Sequence, residues 1–287
     1  MSTATPLPPS HCRTACMHTL ESQSPVLADS HLAGHDASED APVELSIIVP
    51  TWNAGERLRS TLRGLATFAW RQPYTVERIV VDDGSDVSSA RILADWQRED
   101  PTLRVIRNER NSGKGYSVAR GMEVARGRYR VFLDADLAYP VQEIARIVAG
   151  LDAGADVVIA CRTDVGSRYV MSPAYFHYLY TRHLMSRVFN RFVRLTLLPE
   201  IQDTQAGLKG FTAQAAREIF PRLSITRFGF DLECLFIAKQ RSMQIVQTPV
   251  EFHYNNEPST VHFVRDACTM LRDMALVRWR GWWGRYA

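Results

Sequence analysis

Two aspartates one residue apart, Asp134 and Asp136, form the motif with the most chemical content in this sequence. The apolar run 131–133 precedes them and predicts a buried strand that ends where they begin. Side chains at positions i and i+2 of an extended segment point the same way, so both carboxylates can approach one ligand. Mg²⁺ and Mn²⁺ take oxygen ligands and are often shared between carboxylates and a diphosphate. We therefore expect a Mg²⁺ or Mn²⁺ site here; two solvated turn residues are the alternative.

A second acidic pair, Asp82 and Asp83, follows the apolar run at 79–81. A carboxylate here can accept a hydrogen bond from the imide N–H of a uracil or guanine base. We assign this role to Asp83. The alternative is that an aspartate of this pair caps the helix that follows.

A glycine-rich loop, residues 111–115, places Lys114 between two glycines. Glycine lets backbone N–H groups approach an anion, and a helix N-terminus favours negative charge. Lys114 can reach a diphosphate from such a loop. The loop is neither a Walker sequence nor a complete G-x-G-x-x-G pattern, and an ordinary glycine turn is the alternative.

The elements that position these residues alternate between strands and helices. The apolar patterns predict strands at 45–50, 76–81, 103–107, 129–133 and 156–160, and helices at 57–68, 88–99, 117–126 and 141–151. Such βαβ units give an α/β fold with a mostly parallel sheet flanked by helices. Ligands bind beyond the carboxyl ends of its strands, where residues 51–53, 82–86 and 134–136 fall.

The C-terminal half is more basic and aromatic. Residues 172–198 contain no acidic residue and predict one or two amphipathic helices with arginines that suit a phosphate. The loop that begins at Asp203 enters a strand near 211, a helix follows at 231–240 and a strand at 244–250. Asp231 and Glu233 are interpreted as helix N-terminal charge. The basic segment 259–287 contains Trp279, Trp282 and Trp283, which favour a membrane interface; packing on the core is the alternative.

Composition sets limits on the remaining possibilities. The net charge of +3 is too small to indicate a nucleic-acid partner. Five scattered cysteines argue against a disulfide framework and for a reducing compartment. No apolar run approaches the roughly 18 residues of a membrane span. Residues 1–42, rich in Ser, Thr, Pro, Ala and His, lack periodicity and predict a disordered tail.

Taken together, the motifs resemble those of family 2 glycosyltransferases, and within them dolichyl-phosphate glucosyltransferases and related bacterial polyprenyl-phosphate glycosyltransferases. The resemblance extends from about residue 45 to about residue 278 and rests on six motifs in order. They are Ile48–Asn53, Val80–Ser85, Asn111–Gly115, Leu133–Leu137, Cys161–Arg162 and Asp203–Lys209.

The resemblance implies a GT-A fold over residues 43–258 and inverting transfer of a hexosyl group, assigned as glucose from UDP-glucose, to a polyprenyl or dolichyl phosphate. It implies a peripheral enzyme on the cytoplasmic face of a membrane. The implied catalytic residues are Asp136, Asp203, Arg162 and Arg182. The implied substrate-binding residues are Pro50, Asn53, Asp83, Lys114, Asp134 and Gln205, and the metal ligands are Asp134 and Asp136.

Three alternatives stay open. One is a mannose donor, which is weakened because Ala138 stands where mannosyltransferases of this group often have glutamine. Another is a saccharide acceptor, which would need a carboxylate base near the sugar. The third is a non-catalytic membrane scaffold that binds nucleotide sugars. The oligomeric state is not predicted.

Overall fold

The computed structural model describes residues 42–170, 190–254 and 263–286. Its strands are β1 Leu45–Thr51, β2 Val76–Asp82, β3 Leu103–Arg107, β4 Tyr129–Leu133, β5 Val157–Ala160, β6 Arg168–Val170, β7 Leu208–Thr212, β8 Ile245–Thr248 and β9 Glu251–His253. Seven of them form one sheet in the order β3-β2-β1-β4-β7-β5-β8, and β6 and β9 form a separate parallel pair. The predicted disordered tail, residues 1–42, lies outside the described residues except for its last position.

The helices are α1 Arg57–Trp70, α2 Val87–Glu99, α3 Lys114–Val124, α4 Glu143–Asp152, α5 Ala213–Ile219, α6 Phe230–Gln240 and α7 Phe263–Trp282, and residues 190–196 are also helical. The predicted alternation is confirmed, and β3 and β4 match residue for residue. Helix α3 begins three residues earlier than predicted because Gly113, at φ 103°, turns the chain directly into it. Of the described helices, none combines the length and apolar character needed to cross a bilayer.

Helices cover both faces of the sheet, which explains why every residue of β1 is buried. Successive side chains of a strand point to opposite faces. Accordingly Ile48 belongs to the core cluster that includes residues of α3, α5, α6 and α7, whereas Ile47 and Val49 belong to the cluster with residues of α1, α2 and α4. The result is a three-layer α/β/α arrangement.

Strand β7 runs antiparallel to both of its neighbours, β4 and β5. Its amino end therefore lies beside the carboxyl ends of those two strands. The backbone N–H of Asp134, just after β4, donates to the carbonyl of Gly207, just before β7, at 3.0 Å. Residues 203–207 consequently join the same edge of the sheet as the aspartates after β4.

Replacing Phe211 by alanine should lower the free energy of unfolding by about 3–5 kcal/mol. Phe211 is fully buried in β7, and its ring lies 5.1 Å from the ring of Phe220 and 6.4 Å from that of Phe132. Urea unfolding measures the change. The exposed Val165→Ala variant is the control, and equal stability of the two variants would contradict this description of the core.

Candidate active site

The carboxylates of Asp134 and Asp136 lie at the end of β4. The carboxylate of Asp134 contacts the Lys114 ammonium at 2.7 Å, and Asp136 accepts a hydrogen bond from the backbone N–H of Ala138 at 2.9 Å. Although part of Asp136 reaches solvent, the surrounding protein and the negative charge of Asp134 raise its pKa. A cation beside the two carboxylates would offset the repulsion that Asp136 experiences.

Lys114 supplies positive charge at the same edge. Lys114 is the first residue of α3, and its ammonium lies 5.6 Å from the ring centroid of Phe132 and 5.7 Å from that of Phe230. Burial alone would lower the pKa of Lys114, but the carboxylates of Asp134 and Asp231 outweigh burial and raise it. Lys114 is therefore protonated at neutral pH, as a contact with a diphosphate requires.

Asp83 connects β2 to the glycine-rich loop. Its buried carboxylate accepts hydrogen bonds from the Asn108 side chain at 2.7 Å and from the backbone N–H groups of Ser112 at 2.9 Å and Gly113 at 2.8 Å. Two of these reach Oδ1 and one reaches Oδ2, which leaves acceptor capacity on Oδ2 for a nucleobase. The helix-capping alternative is wrong, because Asp86 caps α2 through the N–H of Ser89.

Asn53 and Pro50 shape the edge at the end of β1. Asn53 has φ 50°, its side-chain oxygen accepts from the N–H of Asp86 at 2.8 Å, and its own N–H donates to the Ser85 hydroxyl at 2.9 Å. Pro50 is buried within β1, opposite Val81. Asn53 thus holds the loop that follows Asp83, whereas Pro50 belongs to the sheet itself, and the contact of either residue with a substrate stays a prediction.

A bidentate ion pair joins Arg162, after β5, to Asp203, before β7. The Arg162 Nε and Nη2 atoms lie 2.7 and 2.8 Å from the Asp203 carboxylate oxygens, and the backbone N–H of Arg162 donates to Oδ2 at 3.0 Å. Burial alone would raise the pKa of Asp203, but Arg162 lowers it. The guanidinium also stacks over Phe252, with its central carbon 5.4 Å from the ring centroid.

Gln205, two residues further on, has a buried side-chain Nε2 with no hydrogen-bond partner in the described part of the chain. An unpartnered buried N–H is costly, so an oxygen of a bound substrate would satisfy it. Arg182, the remaining predicted residue, lies outside the described residues.

Sequence reasoning missed the buried ion pair between Lys209 and Asp231 beneath the site. The Lys209 ammonium donates to Asp231 and, at 2.6 Å, to the carbonyl of Ala206, and lies 5.4 Å from the Phe132 ring centroid. A lysine next to the apolar Leu208 and close to Phe211 in a strand was the available signal, because a buried ammonium needs a carboxylate partner. Asp231 also lies in the first turn of α6, as predicted.

The donor set fits a divalent cation that is shared with a ligand. Within residues 42–170, 190–254 and 263–286, no three histidine, cysteine, aspartate or glutamate side chains gather into a metal site. Two carboxylates at one edge are the number that Mg²⁺ or Mn²⁺ typically takes from a protein when a diphosphate supplies further oxygens.

Residues 46–220 match the sequence profile of Glycosyl transferase family 2. This chain belongs to glycosyltransferase family 2. The glycosyltransferase is 30% identical over 247 residues to a dolichyl-phosphate beta-glucosyltransferase from Dictyostelium discoideum, across 83% of this chain and 75% of that protein. It is 31% identical over 227 residues to the human protein of the same name, across 74% of this chain and 68% of that one. The resemblance seen in the motifs is confirmed.

A solved structure, glucosyl-3-phosphoglycerate synthase from Mycobacterium tuberculosis in complex with UDP, superposes on the glycosyltransferase with a TM-score of 0.59. The match has 16% sequence identity and covers 82% of this chain and 80% of that one. At this identity the likeness concerns the fold, and the expected GT-A fold is confirmed.

Replacing Gly207 by alanine should lower glycosyl transfer by at least about a hundredfold, because small misplacements of reacting groups have effects of this size. A Cβ atom at Gly207 would lie 2.0 Å from Oδ2 of Asp134, so the carboxylate must move. Steady-state kinetics measure the loss. Gly64→Ala, whose Cβ would make an ordinary 3.5 Å contact with Val141, is the control. Unchanged transfer by the Gly207 variant would refute the assigned role of Asp134.

Proposed function

We propose that this glycosyltransferase transfers glucose from UDP-glucose to a polyprenyl or dolichyl phosphate with inversion at the anomeric carbon. The names of its relatives support the sugar and the acceptor. One observation carries the choice of acceptor. The buried carboxylate of Asp203, on the edge where the sugar would lie, forms a bidentate ion pair with Arg162. A carboxylate held ionised by a bidentate arginine is a poor general base.

A phosphate acceptor needs no such base. Its second pKa is near 6, so a lipid monophosphate is largely dianionic at neutral pH and is already a nucleophile. It requires positive charge to bind it and alignment against the anomeric carbon. Arg162, fixed by Asp203 through Nε and Nη2 and by Phe252, would offer its remaining guanidinium N–H donors in a rigid planar form. Arg182 is proposed as its partner from the resemblance alone.

On the donor side, Asp134 and Asp136 would hold Mg²⁺ or Mn²⁺, and Asp83 would accept the imide N–H of uracil. The cation, when bound, neutralises charge on the departing diphosphate. Lys114 contributes a second positive charge at the same place, and Gln205 offers its unpartnered amide to the donor sugar. Hence negative charge that develops on the leaving group is met by fixed donors.

The described C-terminal residues support a peripheral contact with a membrane, and the cytoplasmic face is proposed from the resemblance alone. Trp279, Trp282 and Trp283 are exposed at the end of α7, and the ring of Trp283 lies 6.3 Å from that of Trp279 and 6.4 Å from that of Trp282. Exposed residues 271–285 include arginines but no acid, since Asp273 is buried. Tryptophan favours the lipid interface and arginine favours anionic headgroups.

The proposal is tested by transfer of radiolabelled glucose from UDP-glucose to polyprenyl phosphate in the presence of Mn²⁺. The Asp134→Asn/Asp136→Asn variant should lose at least about a hundredfold in rate. Asp95→Asn, which removes a half-buried carboxylate paired with the exposed Arg98 away from the site, is the matched control and should retain the rate.

The same assay measures which acceptors receive the radiolabelled glucose. Product should form on polyprenyl phosphate and not on the phosphate-free polyprenol or on a saccharide. Transfer to a saccharide at a comparable rate would favour that alternative. Binding of UDP-glucose without turnover on any lipid phosphate would favour the non-catalytic scaffold.

The Trp282→Ala/Trp283→Ala variant should bind vesicles of phosphatidylglycerol and phosphatidylcholine about tenfold more weakly than the unsubstituted protein. Flotation with the vesicles measures bound protein. Trp70→Ala is the matched control, since Trp70 is 76% exposed at the end of α1, against 86% and 65% for Trp282 and Trp283. Equal binding by the two variants would exclude the C-terminal tryptophans as the membrane contact.

A further inference from the structure

The C-terminal end of the described chain is anchored in the core by one tyrosine. Tyr286 follows α7, is buried, and its ring lies 5.9 Å from that of Phe236 in α6. Its hydroxyl donates to the carboxylate of Glu233 at 2.7 Å. Glu233 is itself fully buried, and Arg280 of α7 approaches it at 3.6 Å. The C-terminal helix and α6 are thus joined by a polar contact inside the core.

Glu233 also holds the segment that precedes α6. Its second oxygen accepts hydrogen bonds from the backbone N–H groups of Ser224 and Ile225, both at 2.8 Å, and the Ser224 hydroxyl donates to the oxygen that Tyr286 contacts. Glu233 was predicted to act only as helix N-terminal charge. In the structure, its carboxylate links Tyr286 to the backbone at 224–225.

That backbone lies directly against the glycine-rich loop. The carbonyl of Thr226 accepts a hydrogen bond from the N–H of Tyr116 at 3.1 Å. A Cβ atom at Gly113 would lie 2.4 Å from the Thr226 carbonyl oxygen, and one at Gly115 would lie 2.8 Å from that of Ile225. The loop therefore cannot shift toward residues 225–226, and the residue between these two glycines is Lys114.

We infer that Tyr286 is a positioning residue for Lys114. Through Glu233 and the backbone at 224–226, it fixes the loop that aims the lysine ammonium at Asp134, and so it sets the affinity for the nucleotide-sugar donor without touching it. The inference rests on the proposed function, because it takes the ligand of Lys114 to be a nucleoside diphosphate sugar. Packed contacts of this kind transmit position because cores are not continuously deformable.

The test is calorimetric binding of UDP-glucose with Mn²⁺ to the full chain. Tyr286→Phe keeps the ring and removes one hydrogen bond, and it should raise the donor Kd about three- to tenfold, the size of one such bond. The donor KM should rise in step, with a smaller change in kcat. Ser224→Ala removes the hydrogen bond from the Ser224 hydroxyl to Glu233 and should also raise the donor Kd.

Two comparisons separate positioning from loss of stability. Tyr129→Phe removes an equivalent tyrosine–carboxylate bond, 3.0 Å to Asp152, at the opposite end of β4 from Asp134, and should leave the donor Kd unchanged. In a Lys114→Met background, Tyr286→Phe should add no further weakening, because the two residues act through one contact.

An unchanged donor Kd in Tyr286→Phe, or full additivity with Lys114→Met, would overturn the inference while the proposed function stands. If the unsubstituted protein binds no UDP-glucose, the proposed function is wrong and the inference falls with it.

Discussion

The ion pair between Arg162 and Asp203 is the interaction on which the rest of the site depends. It joins the end of β5 to the start of β7 with three hydrogen bonds to one buried carboxylate. Removing one partner of a buried pair typically costs about 3–5 kcal/mol, so both side chains are held in place. The pair fixes the guanidinium of Arg162 at the edge of the sheet. It also makes Asp203 a poor acceptor of a proton, because Arg162 lowers the pKa of its carboxyl group. This favours, in the region of Arg162, the proposed attack by a nucleophile that arrives deprotonated.

Charge is divided along the same edge. Carboxylates dominate at the end of β4, where Asp134 and Asp136 lie, and Lys114 offsets them from α3. Beneath them, Lys209 and Asp231 form a second buried ion pair that shares the ring of Phe132 with Lys114. A cation and a diphosphate fit the first region, and an anionic acceptor fits the region of Arg162. In the proposed reaction, this separation would let two negatively charged substrates bind side by side at this edge of the sheet.

Much of this arrangement is predictable from the sequence, because apolar runs that end in polar residues mark both the strands and their carboxyl ends. Strands β3 and β4 and the positions of Asp83 and Asp134 follow from that pattern alone. The direction of β7 does not follow from the pattern, since an apolar strand has the same sequence pattern whether it runs parallel or antiparallel to its neighbours. The pairing of Arg162 with Asp203 depends on that direction, and so does the contact of Gly207 with Asp134. Asp86, and not Asp82 or Asp83, caps α2. The carboxylate of Asp82 binds Arg107, and that of Asp83 binds the glycine-rich loop.

In the proposed reaction, the acceptor supplies its own nucleophilic charge. The most direct measurement is the pH dependence of kcat/KM for the acceptor, with a lipid phosphate and with its phosphonate analogue, whose second ionisation occurs at higher pH. The rate should rise as each acceptor loses its second proton, so the midpoint should move to higher pH with the phosphonate. A midpoint that stays the same for both acceptors would instead report a base on the protein and would contradict a nucleophile that arrives deprotonated.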